Sequence, residues 1–183
     1  MKRKTAKELL AESFRELAEK KPIDKIKVKD IADNCGYSTA TFYRQYRDKF
    51  DLIAWSYSED VKKIIEKFRY DEASWRETLR DAADYYAEHR EYLSNLLRNT
   101  SGYDSFVLNM TNIHFDCIKE HLQKDDGISV DEKTEMLIRM YVHGTVDITC
   151  EWILGIYNCG PEDLVELYEL SMPQALTSLD LMI

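Results

Sequence analysis

The chain has 183 residues, a formal net charge of −9 and only three prolines. Its cysteines have no regular spacing, and no charged-then-apolar leader precedes the first predicted helix. We therefore expect a cytoplasmic protein with reduced thiols rather than a secreted, disulfide-stapled one. The cysteines are Cys35, Cys117, Cys150 and Cys159.

The charge is distributed unevenly along the chain. Residues 1–50 carry 13 Lys and Arg against 8 Asp and Glu, whereas the remaining residues carry 12 against 26. A positive N-terminal segment attracts the phosphate backbone of nucleic acid, and an acidic remainder keeps that attraction local. The alternative is that lysines such as Lys20 and Lys21 only solvate helix ends.

Two helices are predicted at the start of the chain. The first carries an apolar stripe and ends before Pro22, because proline cannot continue a helix. The second is short, with Val28, Ile31 and Ala32 at three- and four-residue spacing. Its apolar face predicts packing against the first helix.

A turn and a third helix follow. Gly36 suits a left-handed backbone conformation, and Ser38 suits the N-cap of a helix that begins at about Thr39. The surface of this helix is rich in hydroxyl, aromatic and basic groups, which favours the major groove of DNA. Phe42 and Tyr46 are expected instead to pack and to seat the helix.

The rest of the chain is helical in pattern, without strand alternation. The expected fold is all-α, with a three-helix helix-turn-helix head and a multi-helix body, about nine helices in all. We define the head as residues 1–50 and the body as residues 51–183, with a connecting helix over about 48–68. Further helical patterns begin at residues 71–74 and run to 86, then cover 92–97, 103–123, 130–155 and 162–179.

An ordered series of motifs carries a family resemblance. The series consists of Val28-Lys29-Asp30-Ile31-Ala32, Gly36-Tyr37-Ser38, Thr41-Phe42-Tyr43-x-x-Tyr46 and Asp48-Lys49-Phe50-Asp51-Leu52. With these motifs, residues 4 to about 67 resemble the DNA-binding domain of the tetracycline-repressor (TetR) family of bacterial transcription regulators. Lys27 replaces the threonine that usually caps the second helix, so we expect that cap to come from elsewhere or to be absent.

The resemblance implies roles for individual residues in binding double-stranded DNA. Thr39 and Ala40 are candidates for base contacts, and Ala40 is suited to a thymine methyl group. Lys49, behind the expected cap Asp48, resembles a phosphate-anchoring lysine. The full set of candidate DNA contacts is Tyr37, Ser38, Thr39, Ala40, Thr41, Tyr43, Arg44 and Lys49.

The resemblance also implies a homodimer that reads a palindromic operator and a body that binds an effector, in a repressor more often than an activator. The last two long helices of each subunit are expected to form a four-helix bundle. Candidate interface residues are Val142, Val146, Ile153, Leu164, Leu167, Met172 and Leu176. Candidate ligand-pocket residues are Trp75, Tyr85, Tyr86, His89, Phe115, Tyr141 and Trp152.

A weaker similarity concerns the control of the protein. Three short segments are similar to sequences in the branch of the family that contains the dihydroxyacetone-kinase regulators. They are Leu52-Ile53-x-Trp55, Glu151-Trp152-Ile153 and Pro161-Glu162-Asp163-Leu164. In that branch a protein coactivator can replace a small inducer. A small or closed cavity would favour this alternative, and a large aromatic-lined one would disfavour it.

The sequence offers little support for an enzyme, a cofactor or a membrane protein. It lacks HExxH, GxSxG and Cys-x-x-Cys patterns and a phosphate-binding glycine loop. The apolar stretch over residues 136–157 is interrupted by charges, which disfavours a membrane span. His114, Cys117 and His121 lie on one helix face and suit a zinc-like ion, but the missing fourth ligand favours ordinary packing, and we expect no metal.

Overall fold

The computed structural model describes residues 4–69, 73–102, 105–125 and 130–177. These residues form helices and connecting turns without a β-strand, so the predicted all-α class is confirmed. Within these described ranges, nine helices have seven or more residues. They are α1 (Ala6–Ala18), α2 (Val28–Asn34), α3 (Thr39–Gln45), α4 (Lys49–Arg69), α5 (Trp75–Glu88), α6 (Arg90–Asn99), α7 (Phe106–Asp125), α8 (Glu132–Ile153) and α9 (Pro161–Ser171).

Two shorter elements complete the described chain. A 3₁₀ turn at Ile23–Lys25 joins α1 to α2, and α10 (Gln174–Thr177) follows α9. The sequence predicts one helix from 162 to 179, but Met172 is extended, with a ψ of 124°, and ends α9. Pro173 explains this break, because a proline disfavours the helical conformation of the residue before it. Residues 178 and 179 lie outside the described residues.

The head is built by α1, α2 and α3 around the beginning of α4. The Thr5 hydroxyl caps α1 by accepting from the Glu8 amide, and the Glu8 carboxylate accepts from the Thr5 amide at 2.6 Å. Leu10, Phe14 and Phe42 are fully buried among these helices. Burial of such large apolar side chains is the main stabilising contribution to a three-helix unit of this size.

Helix α4 connects the head with the body. It has 21 residues, which corresponds to a length of about 30 Å at 1.5 Å per residue. Leu52 and Ile53 of α4 are buried near the head, and Tyr57 and Val61 are buried further along it. Buried residues of head and body form one continuous hydrophobic cluster, so the two parts are in direct contact through packed side chains.

The body consists of the rest of α4 and helices α5 to α10. Within it, α7 packs on α4 and α8, while α5 packs on α9. Arg80 joins α5 to Glu162 of α9 through three hydrogen bonds of 2.8 to 3.0 Å. No helix within the described ranges is both long and apolar enough to cross a membrane.

Candidate nucleic-acid interface

The N-terminus of α2 is capped by a residue of its own first turn. Asp30 Oδ2 accepts a hydrogen bond from the Lys27 amide at 3.0 Å. The same oxygen accepts from the Lys21 ammonium at 3.1 Å. The Lys27 hydrogen bond, followed by that of Lys21, lowers the pKa of Asp30 below its usual value. Asp30 thus satisfies the amide of Lys27, whereas the side chain of Lys27 makes no capping hydrogen bond of the kind that the usual threonine makes.

The turn between α2 and α3 has the geometry that its sequence predicts. Gly36 has a φ of +75°, where a side chain would strain the backbone. The next residue closes the turn, since the Tyr37 amide donates to the Ala32 carbonyl at 2.9 Å. Ser38 Oγ then accepts from the Thr41 amide at 3.2 Å, which confirms the predicted N-cap of α3.

Helix α3 has a buried face and an exposed face. Phe42 is fully buried and Tyr46 nearly so, and the Tyr46 hydroxyl donates to the Lys7 carbonyl at 2.9 Å. Both predictions of a packing role are confirmed. The opposite face exposes Thr39, Ala40, Tyr43, Arg44 and Gln45. Tyr43 is 60 % exposed although it is a large aromatic residue, so its side chain is available to a partner.

Three other candidate contacts are partly engaged in local structure. The hydroxyls of Ser38 and Thr41 lie 3.1 Å apart and form a hydrogen bond. Tyr37 is half-buried at the turn. These side chains border the exposed face of α3, but part of their hydrogen-bonding capacity stabilises the turn.

Lys49 has a structural task that the sequence did not reveal. Its ammonium donates to the carbonyls of Ile23 at 2.7 Å and Ile26 at 3.1 Å. An ammonium has three N–H donors, so one remains for another partner. Burial lowers the pKa of Lys49 below its usual value. Asp48 caps α4 as predicted, because its carboxylate accepts from the amides of Phe50 and Asp51, both at 2.9 Å.

Helix α6 is joined directly to the head by Asn95. Asn95 Nδ2 donates to the carbonyls of Ala18 at 2.7 Å and Lys21 at 3.0 Å. Asn95 Oδ1 accepts from the Ile23 amide at 3.2 Å. This side chain therefore satisfies three backbone groups at the end of α1, and α6 cannot move without breaking or carrying these bonds.

A second junction lies between α1, α4 and α5. Arg15 of α1 donates to Asp60 at 2.6 Å and to Ser56 at 3.1 Å, and the Tyr85 hydroxyl donates to Asp60 at 3.1 Å. Burial raises the pKa of Asp60, but the charges and hydrogen bonds of Arg15 and Lys63 together outweigh burial and lower it below its usual value. The pair is partly buried, and breaking it would leave one charge without its partner.

The body contains a cavity of about 60 Å³ between α5, α7, α8 and α9. Three of the predicted pocket residues, Trp75, Tyr86 and Tyr141, line it. The other four predicted pocket residues, Tyr85, His89, Phe115 and Trp152, lie elsewhere in the body. Tyr85 donates to Asp60, His89 packs on Tyr85, Phe115 lies under Arg139, and Trp152 donates to the Cys159 carbonyl.

His114 lies at the cavity in a cluster of buried polar rings. Its Nε2 is 2.8 Å from the Tyr57 hydroxyl and 3.2 Å from the Tyr86 hydroxyl. Burial lowers the pKa of His114 to about 4, so the ring is neutral at ordinary pH. His121 packs against Phe68 at 4.5 Å between ring centroids. The described residues contain no group of three side chains that suits a metal ion.

Most of the predicted interface residues lie in the interior of the chain itself. Only Leu167, which is 43 % exposed, is open to solvent. Leu167 instead borders an apolar groove of about 380 Å³ with Met140, Gly144 and Ile148. Helix α8 has apolar residues on more than one face, and the inner ones fill the body. The predicted residues that are buried in the chain are Val142, Val146, Ile153, Leu164, Met172 and Leu176.

Comparison with known protein families identifies the family of this chain. Residues 5–54 match the family described as bacterial regulatory proteins, tetR family, and residues 73–173 match a transcriptional regulator C-terminal region. The chain therefore belongs to the TetR family. It is a transcriptional regulator with an N-terminal DNA-binding domain. No curated protein gives a significant match.

Several solved structures have the same fold. A TetR transcriptional regulator from Streptococcus agalactiae 2603V is 20 % identical, with a TM-score of 0.62 over 94 % of this chain and 92 % of that chain. The dihydroxyacetone kinase operon activator DhaS is 19 % identical, with a TM-score of 0.60 over 96 % and 97 %. The fatty acid degradation regulator FadR from Bacillus halodurans is 15 % identical, with a TM-score of 0.58 over 94 % and 98 %. At these identities the likeness concerns the fold.

Proposed function

We propose that this chain is a homodimeric repressor that binds a palindromic operator through α3 and responds to an effector in its body. The observation that carries the proposal is the division of α3 into two faces. Phe42 and Tyr46 anchor the helix in the head, while Thr39, Tyr43 and Arg44 remain exposed. A rigid helix with exposed hydroxyl, aromatic and basic groups suits the major groove.

The exposed residues divide by the part of DNA that each can reach. Thr39 and Ala40 lie in the first turn of α3, where side chains approach base edges, so we assign them to sequence selection. Arg44 and Tyr43 suit phosphates, as does the remaining N–H of Lys49. Tyr37, Ser38 and Thr41 border this surface and form the remaining proposed contacts.

The groove beside Leu167 is the proposed centre of the dimer. Met140 and Leu170 are 70 % and 84 % exposed on α8 and α9, and both are apolar. A second copy with the same two helices would cover these side chains in an isologous contact. Of the interface residues expected from sequence, Leu167 keeps this role, because the others are already buried within the chain.

The effector is proposed to act from the body. The cavity is bounded by α5, α7, α8 and α9, and α6 links the body to the head through Asn95. An occupant that shifts α5 or α8 would displace α6 and with it the end of α1. The spacing of two heads on an operator would then change, which lowers DNA affinity.

Control by a partner protein is the second candidate. A cavity of about 60 Å³ is far below the roughly 300–1,000 Å³ of pockets that hold drug-sized ligands. One protein of the same fold is named an operon activator, so activation through a coactivator is the corresponding alternative to repression. In either case we propose a cytoplasmic protein without catalytic activity or a bound metal.

A binding assay tests the DNA-binding part of the proposal. Purified protein is titrated onto fluorescent fragments of the genome that encodes it, at several salt concentrations. We expect a few fragments to bind much more tightly than the rest, with affinity that falls as salt rises. Affinity without sequence preference or salt dependence would contradict the proposal.

A further inference from the structure

The cavity in the body restricts its occupant by size. One water-sized probe occupies about 10–15 Å³, so the volume of about 60 Å³ corresponds to roughly four to six non-hydrogen atoms. The residues that line the cavity belong to packed helices rather than to a loop. Only a very small molecule fits without displacing these helices.

The wall of the cavity disfavours a charged occupant. Among the described residues that line it there is no Asp, Glu, Lys or Arg. The one imidazole, that of His114, is neutral because burial lowers its pKa to about 4. A charged molecule would lose its hydration without gaining a counter-ion, at a cost of several kcal/mol.

Several hydroxyl groups of the wall already donate to protein partners. Thr149 donates to the Thr145 carbonyl at 2.6 Å, so the Tyr168 hydroxyl donates to Thr149 Oγ1 in their hydrogen bond. The Tyr141 hydroxyl donates to the Tyr168 carbonyl at 3.1 Å, and Thr145 donates to the Tyr141 carbonyl at 2.9 Å. The two tyrosine hydroxyls join α8 to α9, and the protons of all four hydroxyl groups are already donated to protein partners.

The indole of Trp75 is different. Trp75 lines the cavity and is 8 % exposed. Among the described residues, its Nε1 is the buried side-chain nitrogen or oxygen that has no hydrogen-bond partner. Leaving such a donor unpaired costs about 1–3 kcal/mol. Trp152, by contrast, donates its Nε1 proton to the Cys159 carbonyl at 2.8 Å.

We propose that the cavity binds a small uncharged molecule with a carbonyl or ether oxygen, which accepts a hydrogen bond from Trp75 Nε1. The proposal rests on the effector role of the body proposed above, and it names the chemical class of that effector. The apolar residues of the wall, such as Leu79 and Val146, would contact the rest of the molecule.

The test observes the indole N–H signals of the full-length protein by NMR, with ¹⁵N-labelled tryptophan. Three probes are used. The first is 2-butanone, which has a carbonyl oxygen. The second, 2-methyl-1-butene, has a methylene group in place of that oxygen, and the third, propionate, carries a charge. We expect 2-butanone to move the Trp75 signal downfield in a saturable manner and propionate to leave it unchanged. Trp152 serves as an internal control, because its N–H already has a partner.

Two variants locate the effect. Trp75→Phe removes the donor and keeps an aromatic ring, so we expect it to weaken 2-butanone binding relative to 2-methyl-1-butene by about 3- to 10-fold. Because this variant has no Trp75 signal, the affinities of both probes are measured in wild type and variants by saturation transfer to the probes' own protons. Ala82→Leu fills the cavity, and we expect it to weaken the binding of both probes. Comparing the two probes in each variant cancels any general loss of stability.

The proposal is overturned if no probe moves the Trp75 signal, or if Trp75→Phe leaves the ratio of the two affinities unchanged. Either result leaves the DNA-binding proposal intact, because DNA affinity is measured separately. Conversely, binding of 2-butanone without any change in DNA affinity would contradict effector control and leave the binding site standing.

Discussion

Asn95 of the body accepts a hydrogen bond from the backbone amide of Ile23 in the head, at 3.2 Å. The Ile23 carbonyl accepts from Lys49 at 2.7 Å. The same residue is therefore held from two sides, by α6 through its amide and by the beginning of α4 through its carbonyl. The 3₁₀ turn at Ile23–Lys25 is therefore one of the places where the head is hydrogen-bonded to the body.

Replacing Asn95 tests this junction. Asn95→Ala leaves the Ala18 and Lys21 carbonyls and the Ile23 amide without their partner. We expect the free energy of unfolding to fall by about 1–3 kcal/mol, measured by urea denaturation. Ser94→Ala is the matched control. The Ser94 hydroxyl accepts a hydrogen bond from Arg98, which lies in the same helix, so this bond does not join α6 to the head. An equal fall in the free energy of unfolding in the two variants would contradict a stabilising role of the Asn95 hydrogen bonds to the head.

Two neighbouring aromatic residues of α3 are expected to behave in opposite ways. Phe42→Ala creates a cavity in the core of the head and should lower the free energy of unfolding by about 3–5 kcal/mol. Tyr43→Ala alters an exposed side chain and should change stability by less than about 1 kcal/mol, while it weakens binding to every DNA sequence. Thermal unfolding and DNA titration of both variants check this. A stable Phe42→Ala protein would contradict the described packing.

The buried His114 makes stability depend on pH. Its pKa is lowered to about 4 in the folded protein, whereas an unfolded histidine has a pKa of about 6.5. Between these values the unfolded chain binds more protons, so stability falls as the pH drops from about 6.5 to 4. The full loss is roughly 3 kcal/mol.

The contribution of His114 is isolated by comparing denaturant unfolding of the wild type and His114→Gln across that range. The variant keeps an amide that can bond to Tyr57 but does not titrate. We expect the difference in unfolding free energy between wild type and variant to change by about 3 kcal/mol over the window. Parallel curves would mean that His114 titrates normally.

The proposed dimer depends on Leu167 rather than on its buried neighbours. Leu167→Glu places a charge in the apolar groove with Met140 and Ile148 and is expected to give a monomer by light scattering coupled to size-exclusion chromatography. Tyr157→Glu is the control, since Tyr157 is 44 % exposed but lies in the turn after α8. A Leu167→Glu protein that remains dimeric would place the interface elsewhere.

The sequence predicts the local structure of the head well and its long-range contacts poorly. Gly36, Ser38 and Asp48 act on backbone groups only a few residues away, so each can be recognised from its neighbours in sequence. Asn95 reaches Ile23 across 72 residues, and periodicity carries no information on such a contact. The hydrogen bonds from Lys49 to the carbonyls of Ile23 and Ile26 were missed for the same reason.

The body shows a second limit of sequence analysis. In α8, Val142 and Val146 face the interior while Met140 and Ile148 lie near the surface groove. A helix that is apolar on more than one face does not reveal which face its own chain covers. The pocket had the same ambiguity, because an aromatic residue at helical spacing is equally suited to a core, and four of seven candidates lie away from the cavity.

The central claim is that the exposed face of α3 reads a DNA sequence, and selection of bound sequences from a random DNA pool tests it most directly. The wild type should enrich one palindromic motif. Thr39→Val removes a single hydroxyl and should change the preferred base at a symmetric pair of positions, whereas Lys62→Ala, an exposed change on α4, should keep the wild-type motif. A wild type that enriches no motif, or a Thr39→Val protein that enriches the wild-type motif unchanged, would contradict the claim.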